Sequence, residues 1–211
     1  MHDTELATLL VSRVCHDLIG PVGAIVNGME MLEDEDDGEM REHALALIAS
    51  SARSATAKLE FCRMAYGASG AMEAMIDPAE ARDAVNDLIG KGRISLVFEA
   101  ASAPIPKAQV KLLACLMLSG VEAIPRGGVV TARVREDGDM RLIDISAEGG
   151  KVQVAPEVLS ALKGESALSD AGHRHIHAFF TGLLIRAAEG ALDATVTETS
   201  ARLTVRLKAA G

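Results

Sequence analysis

The stretch Leu9-Leu10-Val11-Ser12-Arg13-Val14-Cys15-His16-Asp17-Leu18-Ile19-Gly20-Pro21-Val22-Gly23-Ala24-Ile25 decides how this chain folds. At roughly 100° per residue, Leu10, Val14, Leu18, Pro21, Ile25, Met29 and Leu32 fall within a sector about 100° wide. That is the core-facing stripe of a long amphipathic helix. The helix begins near Thr4 and Glu5 and runs to about Leu32, where the acidic run Glu33-Asp34-Glu35-Asp36-Asp37-Gly38 breaks it. A second helix is expected from about Glu39 to Tyr66, stopping at Gly67-Ala68-Ser69-Gly70. Its stripe is Ala44, Ile48, Ala52, Ala55, Leu59, Cys62 and Tyr66, mostly small side chains that permit close helix approach. A single hairpin is one layer thick and cannot cover both stripes. Pairing two hairpins from two chains into a four-helix bundle does cover them, so a homodimer is expected.

His16 falls about 180° from the core stripe on the same wheel, in a sector shared with Ser12, Ile19, Gly20, Gly23 and Asn27. A histidine on an open face flanked by glycines leaves room for another protein to dock. Each glycine weakens a helix by about 1 kcal/mol relative to alanine, which argues for a reason to keep that face bare. Gly20 also precedes Pro21 and eases the bend expected there, because Pro21 has no amide to donate and crowds the carbonyl of Asp17. An ordinary surface histidine is the competing reading of these features.

The chain has 211 residues and a net charge of −9, and its only large aromatics are four Phe and one Tyr. A core of Ala, Leu, Val, Ile and Met favours helices. The acidic balance argues against a nucleic-acid partner. No uninterrupted apolar run approaches the roughly 20 residues of a membrane span, so no membrane partner is expected. The N-terminus lacks the basic start of a signal peptide, and Cys15, Cys62 and Cys115 form no CxxC pair, which suits reduced thiols in the cytoplasm.

Beyond residue 70 the periodicity changes. Helices are expected at Pro78–Ile89, Lys107–Ala123, Pro156–Leu162 and His173–Ala188. Strands are expected at Arg93–Phe98, Val129–Val134, Arg141–Ser146, Ala194–Thr199 and Arg202–Leu207, with Ala103-Pro104-Ile105-Pro106 a linker and Glu136-Asp137-Gly138-Asp139 a hairpin turn. The fold class is α+β: a helical hairpin domain over residues 1–70, then an α/β sandwich domain over 71–211 with helices on one face of a mostly antiparallel sheet. His173 and His177 stand one helical turn apart, but two histidines without a third ligand rarely hold zinc, and a polar helix start is the plainer reading. No metal site and no cofactor is expected in this chain.

The segment from His16 to Ile25 resembles the H-box of two-component histidine kinases, in which an acidic residue follows the histidine and a proline stands five positions on. By that resemblance His16 is the phosphoryl-carrying residue and Asp17 its helper, holding the ring tautomer; a plain surface carboxylate is the alternative for Asp17. The second half resembles the kinase ATP-binding domain with its nucleotide motifs lost. Cys115 and Ser119 stand where magnesium-binding asparagines would be, Ala147 stands at the adenine-binding aspartate, and Lys151 replaces a glycine. The glycine-rich lid has become Ile176-His177-Ala178-Phe179-Phe180-Thr181-Gly182-Leu183-Leu184. An H-box hairpin joined to such a domain resembles the ChpT-type histidine phosphotransferases of alphaproteobacteria, with support from Phe61-Cys62-Arg63-Met64-Ala65-Tyr66-Gly67.

The family resemblance implies a dimeric phosphotransferase. It takes a phosphoryl group from the receiver aspartate of a hybrid histidine kinase and passes it through His16 to the receiver aspartate of a response regulator. It does so without ATP, and with Mg²⁺ supplied by the receiver. Gly20 departs from the Thr, Ser or Asn of many H-boxes, which argues against phosphatase activity. Arg13, Gly20, Gly23, Lys58, Leu59, Cys62 and Arg63 are the candidate receiver-binding residues, because a turn near Asp36 sets the mid-fifties to low sixties beside Arg13–Gly20. Arg13 can assist phosphate, meet an acidic rim, or form a surface salt bridge; the others can equally be packing and solvated charge. An ATP-dependent kinase with an unusual nucleotide site and a non-catalytic receiver-binding scaffold are the alternative functions.

Overall fold

A computed structural model describes residues 2–34, 38–67, 71, 73–100 and 103–209. The side chains of His2, Asp3, Asp34 and His173 also lie outside the described set, as do residues 35–37 of the acidic turn and 68–70 of the expected helix stop. The chain opens with α1 (His2–Asp34) and α2 (Gly38–Tyr66), an antiparallel hairpin. Its helices approach closely near the tip, where a Cβ added at Gly28 would meet Ile48 Cγ1 at 2.7 Å.

The α1 stripe is only partly covered. Leu10, Val14, Leu18, Pro21, Ile25 and Leu32 are half-buried, whereas Met29, expected in the core, is 53 % exposed. The expected α2 stripe is also rotated. Its buried residues are Ala44, Ser51, Ala57, Phe61 and Ala65, with Ala52 and Leu59 on the open side. The reason is that α2 serves two neighbours: Ala44, Ile48 and Ser51 belong to the side facing α1, while Phe61 and Ala65 join the core of the following domain. A second apolar stripe on α1, comprising Val11, Ile19, Val22, Val26 and Met29, is bare in the single chain, as are Leu45 and Leu59 on α2. Over Thr4–Glu33 an 18-residue window reaches mean hydropathy 1.5, so α1 is long and apolar enough by length and composition to cross a membrane. The expectation based on uninterrupted apolar runs missed this, because the window is rich in apolar residues without being a continuous run of them.

After the hairpin come β1 (Met75–Ile76), α3 (Ala79–Ile89), β2 (Ile94–Ala100), β3 (Ile105–Pro106) and α4 (Lys107–Ala123). The chain then runs through β4 (Gly128–Asp137), β5 (Met140–Glu148), α5 (Pro156–Lys163), α6 (Leu168–Ala187), β6 (Ala191–Val196) and β7 (Ser200–Lys208). Local chemistry explains the boundaries. Asp77 Oδ1 accepts the Ala79 amide at 2.8 Å ahead of α3, and Gly164 closes α5 at φ 73° in the left-handed region. Gly138, at φ 66°, makes the tight turn between β4 and β5.

The main sheet has the order β2-β4-β5-β7-β6, with β2 parallel to β4 and the other pairs antiparallel. The expected linker at 103–106 contains a short strand pairing with β1, a two-residue ladder too small to leave a periodicity. β6 ends at Val196, three residues before the expected Thr199, because Thr197 Oγ1 accepts the Ser200 amide at 3.0 Å and turns the chain. The core lies between the sheet and α4, which is buried from Gln109 to Gly120. Val130, Ala132, Ile143, Ile145, Leu203 and Val205 face it from the sheet.

Candidate active site

His16 projects from the middle of α1 with its side chain 77 % exposed. Its Nδ1 lies 3.2 Å from Asp17 Oδ1. A carboxylate oxygen only accepts, so this contact places the proton on Nδ1 and leaves the Nε2 lone pair free as a nucleophile. Gly20 and Gly23 lie on the same open face, and a Cβ added at either meets nothing within 4 Å. Packing within the chain therefore gives no reason for glycine there.

Asp17 is held from three sides. Its Oδ2 accepts Arg13 Nε at 2.8 Å, its Oδ1 faces the imidazole, and its backbone carbonyl accepts Lys58 Nζ at 2.8 Å. The last contact follows from Pro21. In an uninterrupted helix the amide of residue 21 would donate to the carbonyl of residue 17, but proline has no amide hydrogen and leaves that acceptor orphaned. Lys58 reaches across from α2 and satisfies it. Arg13 Nη2 in turn donates to Glu122 Oε1 at 2.9 Å, near the end of α4. Burial alone would lower the Arg13 pKa, but its hydrogen bonds and charge pairing with Asp17 and Glu122 outweigh it and raise the guanidinium above its usual range.

Arg13, Asp17, Lys58 and Cys62 line one groove of about 510 Å³ between the hairpin and the second domain. Its far wall comprises Ile94, Leu118, Val121 and Pro125. Cys62 belongs to this groove as a thiol; burial, with the Asp17 charge added, pushes it up to about 11. Leu59 does not line the groove and is 50 % exposed, and Arg63 lines a separate cavity with Lys111. Arg13 and Lys58 are engaged by Asp17 and are not free cations.

Two contacts around the site have no signal in the sequence. Glu122 is one, since nothing local marks a residue 109 positions from its partner. The other is His177, expected at a polar helix start but only 1 % exposed. The helical segment runs from Leu168 to Ala187 but its backbone breaks at Gly172, so the expected helix start near His173 stands, and His177 sits just after that break with its side chain turned into the core. There Nε2 lies 2.9 Å from the Cys115 carbonyl and Nδ1 lies 3.0 Å from the Tyr66 hydroxyl. The carbonyl can only accept, so Nε2 carries the proton and Nδ1 accepts from Tyr66. Burial lowers the His177 pKa and keeps the ring neutral. Phe180 packs edge-on against Tyr66 at 5.4 Å. Among the described residues, no group of three or more His, Cys, Asp or Glu converges as a metal site would need.

Residues 78–200, more than half of the chain, match the family model of the histidine phosphotransferase C-terminal domain. The chain is 38 % identical over 185 residues to protein phosphotransferase ChpT of Brucella abortus (strain 2308), covering 87 % of each chain. It belongs to the ChpT-type histidine phosphotransferases. A bacterial phosphotransferase of known structure superposes with a TM-score of 0.84 at 33 % identity, covering 96 % of both chains. The histidine kinase AdeS of Acinetobacter baumannii superposes at 0.51 with 11 % identity, covering 93 % of this chain and 98 % of its own, and so shares the fold alone. This phosphotransferase thus pairs a helical hairpin with a histidine-kinase-like α/β domain.

Proposed function

We propose that the chain is a phosphorelay station working through His16, between the receiver aspartate of a hybrid histidine kinase and that of a response regulator. The observation that carries this reading is the exposed Nε2 of His16, left nucleophilic by Asp17 on a face kept bare by Gly20 and Gly23. In the first step Nε2 attacks phosphorus, the aspartyl C–O–P linkage breaks at the O–P bond, and the receiver regains its carboxylate. The ring becomes positively charged, and Asp17 stabilises the Nδ1–H throughout. The return step reverses this, with His16 as leaving group. Neutralisation of the moving charge is assigned to the receiver and its Mg²⁺, a reading compatible with the lack of a metal-binding cluster among the described residues. Gly20 and Gly23 belong to the docking face; Leu59, Cys62 and Arg63 are assigned to its α2 side and rim. Asp17 is a helper and not the phosphoryl carrier.

The relay runs without ATP. The cavity lined by Ser119, Gly120, Ile145, Gln153 and Leu203, where nucleotide motifs would converge, is about 70 Å³, against roughly 300–1,000 Å³ for a ligand site. Ala147 is buried in β5, and the lid segment is helix, with Phe179 in the core. Gly182 serves helix packing, since a Cβ there would meet the Ala161 carbonyl at 2.2 Å. The bare stripes on α1 and α2 support a homodimer closing a four-helix bundle. The setting proposed is the cytoplasm.

Incubation with a phosphorylated receiver tests the reading. Acid-labile, base-stable label should appear on the chain and be absent from His16→Ala. Label acquired from ATP alone would instead make the chain a kinase, and receiver binding without any label would make it a scaffold.

A further inference from the structure

We propose that Glu122 and Arg13 are positioning residues for the transfer: the second domain, through Glu122, holds Arg13 and so aims the Asp17 carboxylate at His16. The inference rests on the reading of His16 as the phosphoryl carrier and gives the nucleotide-free domain a task at that site.

The contacts form a single series. Glu122 Oε1 accepts Arg13 Nη2 at 2.9 Å, Arg13 Nε donates to Asp17 Oδ2 at 2.8 Å, and Asp17 Oδ1 faces His16 Nδ1 at 3.2 Å. Each oxygen of Asp17 thus has its own partner, and the bond to Arg13 fixes the rotation of the carboxylate that presents its other oxygen to the imidazole. An i,i+4 ion pair on a helix surface is weak by itself, and a four-bond arginine arm has many alternatives. The second anchor on Glu122 removes that freedom. Glu122 is itself poorly placed for helix stability, since a carboxylate in the last turn of α4 opposes the helix dipole. Arg13 compensates it, so the pair is best understood through its effect on α1. Two further ties between the end of α2 and the second domain keep Glu122 in reach: Tyr66 to His177, and Lys111 Nζ to the Gly67 carbonyl at 3.2 Å.

The experiment uses the whole chain in five forms: unaltered, Glu122→Gln, Arg13→Ala, those two combined, and Glu122→Asp as the conservative rescue. The ¹⁵N resonances of His16 report its tautomer without any partner. Single-turnover transfer from a phosphorylated receiver separates the maximal rate from the half-saturating receiver concentration. Unaltered protein should hold the Nδ1–H tautomer. Glu122→Gln and Arg13→Ala should shift His16 toward Nε2–H and slow the maximal rate by about 10- to 100-fold, with half-saturation unchanged. Combining the two should add little to either, and Glu122→Asp should recover most of the rate. An unaltered tautomer, or a defect confined to half-saturation, would overturn the proposal and make the two residues docking contacts or structural ones. Persistent transfer in His16→Ala would instead reject the relay reading, while the tautomer measurement would still decide whether Glu122 orients Asp17.

Discussion

Pro21 and Lys58 act as a pair at the scale of single residues. The proline removes the donor that the Asp17 carbonyl would have used, and the ammonium of Lys58 supplies another from the facing helix. Lys58→Met should therefore lower unfolding free energy by about 1–3 kcal/mol, because it strands a part-buried acceptor. Pro21→Ala should return the amide and make the loss at Lys58 small, so a double-mutant cycle by urea denaturation should show clear positive coupling. His16, Asp17 and Pro21 could be found from sequence because they are neighbours on one helix, where spacing reports facing directly. Lys58 was located beside them by counting back from the turn, but its duty depended on an orphaned carbonyl that no side-chain pattern reveals. Glu122 is out of reach of such reading altogether, since its partner Arg13 is 109 positions away and meets it only through one side-chain contact in the folded chain.

Among elements, the two hairpin helices expose stripes that the single chain leaves bare. Val22 and Val26 are 49 % and 51 % exposed in the middle of α1. For the homodimer proposed above, Val26→Glu should leave a monomer at micromolar concentration where the unaltered chain runs as a dimer, read by size-exclusion chromatography with light scattering, while the helical circular dichroism of the sheet-bearing domain persists. The wheel found the stripe packed on α2 but placed Met29 in it, since a residue at the sector's edge is shared between two faces. α6 offers a different test. Tyr66→Phe leaves His177 Nδ1 buried without its donor and should cost about 1–3 kcal/mol of stability. The neutral ring also sets a pH dependence. Burial places the folded pKa of His177 below its ordinary 6.5. Its stabilising neutral state is fully present above that value and is lost as pH falls toward the folded pKa, where the unfolded chain binds a proton that the folded chain refuses. Urea midpoints should fall between about pH 7.5 and pH 5.5, and His177→Asn should flatten that part of the slope.

For the whole molecule, the hairpin and the sandwich share one continuous apolar cluster. Phe61 and Ala65 from α2 belong to the same core as Leu113, Ile145 and Val205. Unfolding probes placed in the sheet and at the base of the hairpin should therefore give coincident urea transitions. The order of helices and strands was legible from periodicity, because each long element repeats one pattern many times. The join between the halves is not legible in that way, for the residues of the hairpin that enter the shared core, and polar contacts such as Tyr66 to His177, carry no repeat of their own. The bare strip around His16 has a consequence for choice of partner. On the docking face proposed for receivers, Gly20 and Gly23 present backbone alone, so two positions beside the histidine have no side chain with which to refuse one receiver in favour of another. Discrimination must then come from the groove wall and the rim, and substitutions there should redirect traffic among competing regulators while the histidine's own chemistry stays the same.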